Sequence, residues 1–178
     1  MILMCLLAVH LYVLSSGESI CQFPYDTQIY WSVSYPNRPT MYFTLVEYIQ
    51  HNDGCFFTYS KYSGRNFYSL MFLQKNRPGR QYFLNNGRCG MMPRKLNYRD
   101  YQYRYDEHIN DGKDKVEVFS SFDNEKFRIY KNNCTIYNKE ESGTVFELIR
   151  TVSSPPNYEM PDNCKRSDIS ISKLKYCD

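Results

Sequence analysis

The sequence has few of the residues that catalytic and metal sites need. It contains three histidines, His10, His51 and His108, no serine or cysteine in a nucleophile elbow, and no two cysteines in a short zinc-type spacing. Acid–base, nucleophilic and metal-assisted chemistry each require such groups of residues. We therefore expect no enzyme, no metal site and no cofactor.

The chain also lacks a block of like charge. Its net charge is only +3 at pH 7, and its lysines and arginines are scattered among acidic residues. A nucleic-acid surface needs a basic stripe, so nucleic acid is not an expected partner.

Long apolar segments are absent beyond the N-terminal region. Residues 2–14 are apolar apart from His10, and the small residues Ser15, Ser16 and Gly17 follow. This pattern is typical of a secretory signal peptide. The alternative is a membrane anchor, but the run is shorter than the roughly 20 residues a span needs and has no basic flank. We expect a signal peptide over residues 1–19, with cleavage near Gly17 or Ser19, and one secreted, monomeric domain over residues 20–178, with no membrane partner.

Removal of the signal peptide would leave an even number of cysteines. An even number in a secreted chain predicts three disulfides, although fifteen pairings are formally allowed. The six are Cys21, Cys55, Cys89, Cys134, Cys164 and Cys177.

Alanine is almost absent, whereas aromatic residues make up 17% of the chain, with 18 Tyr and 11 Phe. This composition favours strands over helices. Turn residues such as Asn52-Asp53-Gly54, Asn85-Asn86-Gly87 and Asn110-Asp111-Gly112 separate short strand-like runs. The runs are 41–49, 55–61, 66–74, 81–84, 98–106, 116–122, 127–130, 134–137 and 144–151.

Some segments do not fit the strand pattern. We predict a short helical turn within residues 26–33, a turn at Arg77-Pro78-Gly79, a loop over 88–96 and a C-terminal helix from Pro161 to Lys175. The fold class is an all-β, up-and-down antiparallel sheet of about eight strands. Closing that sheet into a barrel would pair both of its edges, but a two-sheet sandwich explains the strand pattern nearly as well.

The two ends of the domain resemble the tick salivary lipocalins, a family that includes histamine- and serotonin-binding proteins. At the front, the residues that carry the resemblance are Asp26-Thr27-Gln28-Ile29-Tyr30-Trp31, the aromatic run 42–48 and Cys55. Near the end they are Cys134-Thr135-Ile136, Glu147-Leu148-Ile149 and Cys164, at the places of the family's amine-binding signature, with the run from 160 to Cys177. The resemblance implies an eight-stranded lipocalin β-barrel.

The chain departs from that signature at two positions. Thr135 stands where the family has a carboxylate, and Ile149 where it has an aromatic ring; Phe146 also replaces a cysteine that many relatives carry. By the resemblance we expect the disulfides Cys55–Cys177, Cys21–Cys164 and Cys89–Cys134.

An ammonium ligand leaves water only where a carboxylate, and preferably an aromatic face, replaces its hydration. Glu147 is the expected carboxylate, because it lies mid-strand on one face with Val145 and Ile149. That face is either inside the barrel or on its solvated side. The other expected ligand-site residues are Ile149, Thr135, Tyr103, Tyr105, Glu117 and Trp31, with Trp31 closing one end of the barrel. Tyr101 belongs to the same tyrosine ladder, and Glu47 or Asp106 could replace the missing acid.

The resemblance implies a secreted protein that sequesters a host mediator, a biogenic amine such as histamine or serotonin, and so perturbs host inflammation and defence. A lipid mediator is the alternative ligand, with Arg99, Arg104 and Arg128 as candidate anion contacts. A complement or clotting protein bound through the 88–96 loop is a third. Asn133-Cys134-Thr135 is a glycosylation sequon, with Asn133 as the acceptor.

Overall fold

The structure, a computed structural model, describes residues 19–35, 38–52, 55–63, 67–74, 77–86, 88–94, 101–121 and 124–157. These residues form eleven β-strands and contain no helix. The strands are β1 (Thr27–Tyr35), β2 (Arg38–Asn52), β3 (Cys55–Tyr62), β4 (Phe67–Gln74), β5 (Arg77–Asn85), β6 (Arg88–Arg94), β7 (Arg104–Asp111), β8 (Asp114–Ser120), β9 (Lys126–Tyr130), β10 (Ile136–Glu141) and β11 (Thr144–Val152).

All eleven strands belong to one antiparallel sheet. Its order is β6-β5-β4-β3-β2-β1-β11-β10-β9-β8-β7, so strands that are consecutive in sequence lie side by side, except β6 and β7, and β1 pairs with both β2 and β11. The predicted all-β, up-and-down architecture is confirmed, but with eleven strands and not eight. Among the described residues, β6 and β7 are the two ends of the order and do not pair with each other.

Tight turns rich in Asn, Asp and Gly produce this topology. Asp111 pairs with Asp114 across Gly112, whose φ is 64°. Glu141 pairs with Thr144 across Ser142 and Gly143, with φ values of 50° and 78°. Two consecutive positive φ angles give the turn a twist that matches the twist of the flanking strands.

Two segments that were not predicted to be strands form strands in the structure. Residues 26–33 were expected to form a helical turn, but β1 buries Ile29, Trp31 and Val33 at every second position, which is the period of a strand. The predicted 88–96 loop contains β6. Among the described residues this strand pairs only with β5, and a strand at the end of a sheet tolerates a proline such as Pro93.

Two further predictions need smaller corrections. The residues of the predicted Arg77-Pro78-Gly79 turn lie inside β5. The predicted strand 98–106 is only partly a strand, since β7 begins at Arg104 and both Tyr101 and Tyr103 precede it. The predicted C-terminal helix lies outside the described residues, as does the expected signal peptide apart from Ser19.

One face of the sheet carries the main hydrophobic core. Strands from both halves of the sheet order contribute to it, so the sheet is curved around a shared interior. Its buried members include Ile29, Trp31, Val33, Leu45, Phe56, Met71, Phe119, Phe127, Ile129 and Phe146. A second, smaller cluster lies on the opposite face of β2 to β5 and includes Tyr48, Phe57, Leu70, Phe72 and Tyr82.

A disulfide joins Cys21 to Cys134, with their Cα atoms 5.3 Å apart. The expected pairs Cys21–Cys164 and Cys89–Cys134 are therefore wrong: folding brings the N-terminal segment against the β9–β10 turn, a proximity that cysteine spacing does not reveal. Cys55 and Cys89 are also disulfide-bonded. The expected partner of Cys55, Cys177, lies outside the described residues. No helix in the described part of the chain is long and apolar enough to span a membrane.

Candidate ligand cavity

The curved sheet lines a partly open cavity of about 280 Å³ that runs along β3 and β4 and reaches one end of the sheet. Tyr62 and Phe67 flank the β3–β4 connection, Ser121 and Glu125 flank the β8–β9 connection, and Glu141 ends β10. The remaining lining residues are Glu47, Ile49, Phe56, Thr58, Ser60, Ser69, Met71, Gln81, Phe83, Tyr101 and Tyr103. The up-and-down order brings these connections together because they all leave the sheet at the same end.

Three of the lining residues are carboxylates, and they surround a buried ammonium. Nζ of Lys139 lies 2.6 Å from Oε1 of Glu47, 3.4 Å from Oε2 of Glu141 and 3.5 Å from Oε1 of Glu125. The Lys139 side chain is only 1% exposed, whereas the Glu125 and Glu141 side chains are 21% and 43% exposed. Glu125 and Glu141 therefore face both the ammonium and the cavity.

Aromatic rings complete the environment of Lys139. Its Nζ lies 4.8 Å from the ring centre of Phe146 and 5.6 Å from that of Phe127. Burial by itself lowers the pKa of Lys139, but Glu125, Glu47 and Glu141 together raise the pKa above its usual value. Lys139 is therefore charged at neutral pH.

Glu47 differs from the other two acids because both of its oxygens have partners within the protein. Oε1 accepts from Lys139, and Oε2 accepts from Nε1 of Trp31 at 2.6 Å. Burial raises the pKa of Glu47, and the charge of Lys139 opposes that rise. Trp31 is fully buried and is not among the residues that line the cavity, so it supports the cavity through Glu47.

Tyr103 connects the aromatic wall to the acids. Its hydroxyl donates to Oε2 of Glu125, and its ring stacks on Phe23 at 4.2 Å between ring centres. Burial, followed by the nearby charge of Glu125, raises the pKa of Tyr103 well above its usual value, so the hydroxyl remains a donor. Tyr101 lines the same wall and packs against Phe56.

Ser121 offers the cavity a free polar group. Its Oγ is buried and has no hydrogen-bond partner among the described residues. A buried hydroxyl without a partner costs about 1 to 3 kcal/mol. A ligand or water that hydrogen-bonds Ser121 would remove that cost.

The predicted signature residues do not line this cavity. Glu147 and Ile149 are exposed on the outer face of β11, and Ile149 is 52% exposed. The prediction that Val145, Glu147 and Ile149 share a face agrees with their common exposure, but the inward assignment of that face is wrong. Phe146 and Leu148 occupy the inner face of β11. There the ring of Phe146 packs beside Trp31, and the centres of the two rings are 6.5 Å apart.

Thr135 and Glu117 also lie away from the cavity. Thr135 is exposed in the β9–β10 turn. Glu117 is fully buried, but its carboxylate accepts hydrogen bonds from the Ser19 hydroxyl at 2.7 Å and from the amides of Ile20 at 2.8 Å and Cys21 at 3.0 Å. Glu117 therefore anchors the N-terminal segment.

Of the two predicted tyrosines, only Tyr103 reaches the cavity. Tyr105 lies beside a separate, more open groove of about 510 Å³, together with Arg104, Asp106 and Lys126. Arg128 donates to Glu140 at 2.7 Å and to Asn138 at 3.1 Å, so its guanidinium is engaged outside the cavity. Arg99 lies outside the described residues.

The residues that prediction missed are Glu125, Glu141 and Lys139. Lys139 and Glu141 alternate along β10, which suggests a common face, but nothing in the local sequence shows that this face is internal. Glu125 follows Asn124, which has a positive φ of 59°, and its position depends on that turn. In the described part of the chain, no group of three or more His, Cys, Asp or Glu residues could hold a metal.

No protein-family model matches the chain, and a search of curated proteins finds no matching sequence.

Proposed function

We propose that this chain is a secreted, lipocalin-type protein whose curved sheet acts as a barrel that holds one small amine. The observation that supports this proposal most directly is the composition of the cavity wall. The described lining contains three carboxylates, Glu47, Glu125 and Glu141, and no lysine or arginine.

The charge of the site favours a cation. Lys139 offsets only one of the three carboxylates. An ammonium that enters this cavity exchanges water for carboxylate oxygens in a region of low dielectric, where such contacts are stronger than in water. Glu47 is already bonded to Lys139 and Trp31, so Glu125 and Glu141 are the ligand's expected anionic contacts.

The size of the cavity favours a small guest. Ligand pockets for drug-sized molecules span about 300 to 1,000 Å³, and this cavity of about 280 Å³ is slightly smaller than that range. Six aromatic side chains, Phe56, Tyr62, Phe67, Phe83, Tyr101 and Tyr103, supply faces for an aromatic amine such as histamine or serotonin.

A lipid mediator is a weaker candidate. A fatty acid or leukotriene carries a carboxylate, which the acidic lining would repel. Binding of a plasma protein through residues 88–96 remains an alternative, although residues 88–94 form strand β6. The Cys21–Cys134 disulfide is compatible with an extracellular protein, and secretion is part of the proposal.

Calorimetric titration with histamine, serotonin and a leukotriene tests the proposal. We expect saturable, one-site binding of an amine and none of the leukotriene. Glu125→Gln should weaken amine binding about tenfold or more, because a hydrogen bond to a charged group contributes about 1.5 to 3 kcal/mol. Glu141→Gln should weaken binding less, since that side chain is more exposed.

Glu147→Gln is the matched control, since this carboxylate lies on the outer face of β11. Its amine affinity should equal that of the wild type within about twofold. Failure of every amine to bind, or equal losses in Glu147→Gln and Glu125→Gln, would contradict the proposal. Leukotriene binding that is insensitive to Glu125→Gln would favour the lipid alternative.

A further inference from the structure

The β9–β10 turn presents the asparagine of the glycosylation sequon, Asn133, at the protein surface. Asn133 and Thr135 are both exposed. Oδ1 of Asn133 accepts from the Thr135 hydroxyl at 2.7 Å and from the Thr135 amide at 3.1 Å. This leaves Nδ2, the atom that would carry a glycan, without a partner among the described residues.

The same turn is closed by bonds on both sides of Asn133. The amide of Cys134 donates to the Tyr130 carbonyl at 2.8 Å, and the amide of Tyr130 donates to the Thr135 carbonyl at 2.8 Å. Cys134 itself has a positive φ of 55° and is disulfide-bonded to Cys21. A transferase must contact the asparagine amide, the hydroxyl two residues later and the backbone between them. The folded turn already engages Oδ1 of Asn133, the Thr135 hydroxyl and the amide of Cys134.

The turn lies at the opposite end of β9 and β10 from the cavity residues Glu125 and Glu141. Strand β9 runs from Lys126, next to the cavity residue Glu125, to Tyr130, where the turn begins. Strand β10 returns from Ile136 to the cavity residue Glu141. A glycan at Asn133 would therefore leave the cavity open.

We infer that Asn133 carries an N-linked glycan whose attachment competes with closure of the Cys21–Cys134 disulfide. The inference rests on the proposed secretion, because both reactions occur in the secretory pathway. In the transfer, a bond forms between Nδ2 of Asn133 and C1 of a lipid-linked oligosaccharide, and the C1–O bond to the lipid pyrophosphate breaks. The amide loses one proton and the lipid pyrophosphate leaves, with no oxidation or reduction. Once the disulfide has formed, the closed turn excludes the enzyme.

Expression of the full chain in insect cells, followed by peptide-N-glycosidase digestion and peptide mass spectrometry, tests this inference. Wild-type protein should be partly occupied, with conversion of Asn133 to Asp on digestion. Asn133→Gln and Thr135→Ala should abolish the glycan. Cys21→Ser, which keeps the sequon and opens the disulfide, should raise the occupied fraction about twofold or to completion.

Cys89→Ser is the matched control, because it removes a disulfide cysteine that is not bonded to the sequon. Its occupancy should equal that of the wild type. An unglycosylated wild type would overturn the site. Full occupancy of the wild type, or equal increases in Cys21→Ser and Cys89→Ser, would overturn the competition.

A second arm separates this inference from the proposed function. Replacing residues 1–17 with a heterologous signal peptide directs the domain into the secretory pathway regardless of its own leader. If only the form with the heterologous signal peptide is glycosylated, the proposal that the native leader directs secretion is wrong, but Asn133 is a glycosylation site. If neither form is glycosylated, the proposed site is overturned. Histamine titration before and after digestion should give affinities equal within twofold. Absence of binding in both samples would count against the amine proposal alone.

Discussion

Lys139 is held in the protein interior by charge. Its ammonium contacts Glu47 at 2.6 Å, and Trp31 donates to the second oxygen of the same carboxylate. Lys139→Met would leave Glu47 buried beside two other acids without its cation. Loss of one partner of a buried ion pair typically costs about 3 to 5 kcal/mol, and we expect a loss of that order in the free energy of unfolding, measured with urea.

The double variant Lys139→Met with Glu47→Gln serves as the control for that loss. The glutamine keeps an acceptor for Trp31 and removes the unpaired charge. It should therefore recover much of the stability lost in Lys139→Met. If Lys139→Met were as stable as the wild type, the ion pair between Lys139 and Glu47 would not stabilise the fold.

Glu117 should make stability depend on pH. Burial raises the pKa of Glu117, but hydrogen bonds from Ser19, Ile20 and Cys21 lower it by more, and the net shift is downward. A folded-state pKa below the unfolded value, about 4.3, means that the stabilisation is complete above the unfolded pKa. It is lost as the pH falls through the folded pKa.

Unfolding free energies measured from pH 6 to pH 3 check this prediction. The wild type should lose stability more steeply below about pH 4.5 than Glu117→Gln, whose side chain does not titrate. Glu107→Gln, a change at an exposed position of β7, should follow the wild-type curve. Parallel curves for the wild type and Glu117→Gln would contradict the role of Glu117.

At the scale of single elements, β11 shows why a correct strand can be assigned to the wrong face. Both of its faces carry apolar residues, Val145 and Ile149 on one and Phe146 and Leu148 on the other. Alternation therefore predicts the strand but does not identify its inner face, and choosing the wrong one moves every side chain to the opposite side. The deciding contact is Phe146 with Trp31, which is distant in sequence.

Alanine substitutions on β11 distinguish its two faces. Phe146→Ala should destabilise the protein by about 3 to 5 kcal/mol, because it opens a cavity beside Trp31 and Lys139. Ile149→Ala should change stability by about 0.5 kcal/mol or less, since this side chain is 52% exposed. Chemical denaturation of both variants gives the comparison, and equal losses would contradict the assignment of the faces.

Local sequence was enough to predict most of the strands and several turns. Asn52-Asp53-Gly54 and Asn110-Asp111-Gly112 coincide with the ends of β2 and β7, because their residues adopt tight turns readily. At β5 and β6, proline and glycine led to the wrong prediction of a turn and a loop. Arg77-Pro78-Gly79 and Pro93 lie within strands, where pairing with a neighbour outweighs their local preference.

At the scale of the whole molecule, the cavity depends on contacts between distant strands. Glu47 and Tyr103 could be named from the sequence as candidates, because acids and aromatic rings on strands suit an amine. Glu125, Glu141 and Lys139 could not, since they meet Glu47 only when β9 and β10 fold back towards β2. One of the three cavity carboxylates was therefore predictable from the sequence, whereas Glu125 and Glu141 were not.

The Cys21–Cys134 disulfide connects the N-terminal segment to the far half of the sheet. Its two cysteines are 113 residues apart, and a closed loop of that length restricts the unfolded chain strongly. In the chain-entropy model a loop of about 100 residues contributes about 4 to 5 kcal/mol. The double variant Cys21→Ser with Cys134→Ser should lose stability of that order, measured by urea denaturation without reductant so that the bonds of Cys55 and Cys89 remain. The double variant avoids a single free thiol that could mispair.

Because Ser19 and Ile20 are also bound by Glu117, the N-terminal segment keeps a second attachment in the serine double variant. Adding Glu117→Gln to that variant should lower the free energy of unfolding further. A loss below about 1 kcal/mol in the serine variant would show that the disulfide does not restrain the unfolded chain as this loop length requires.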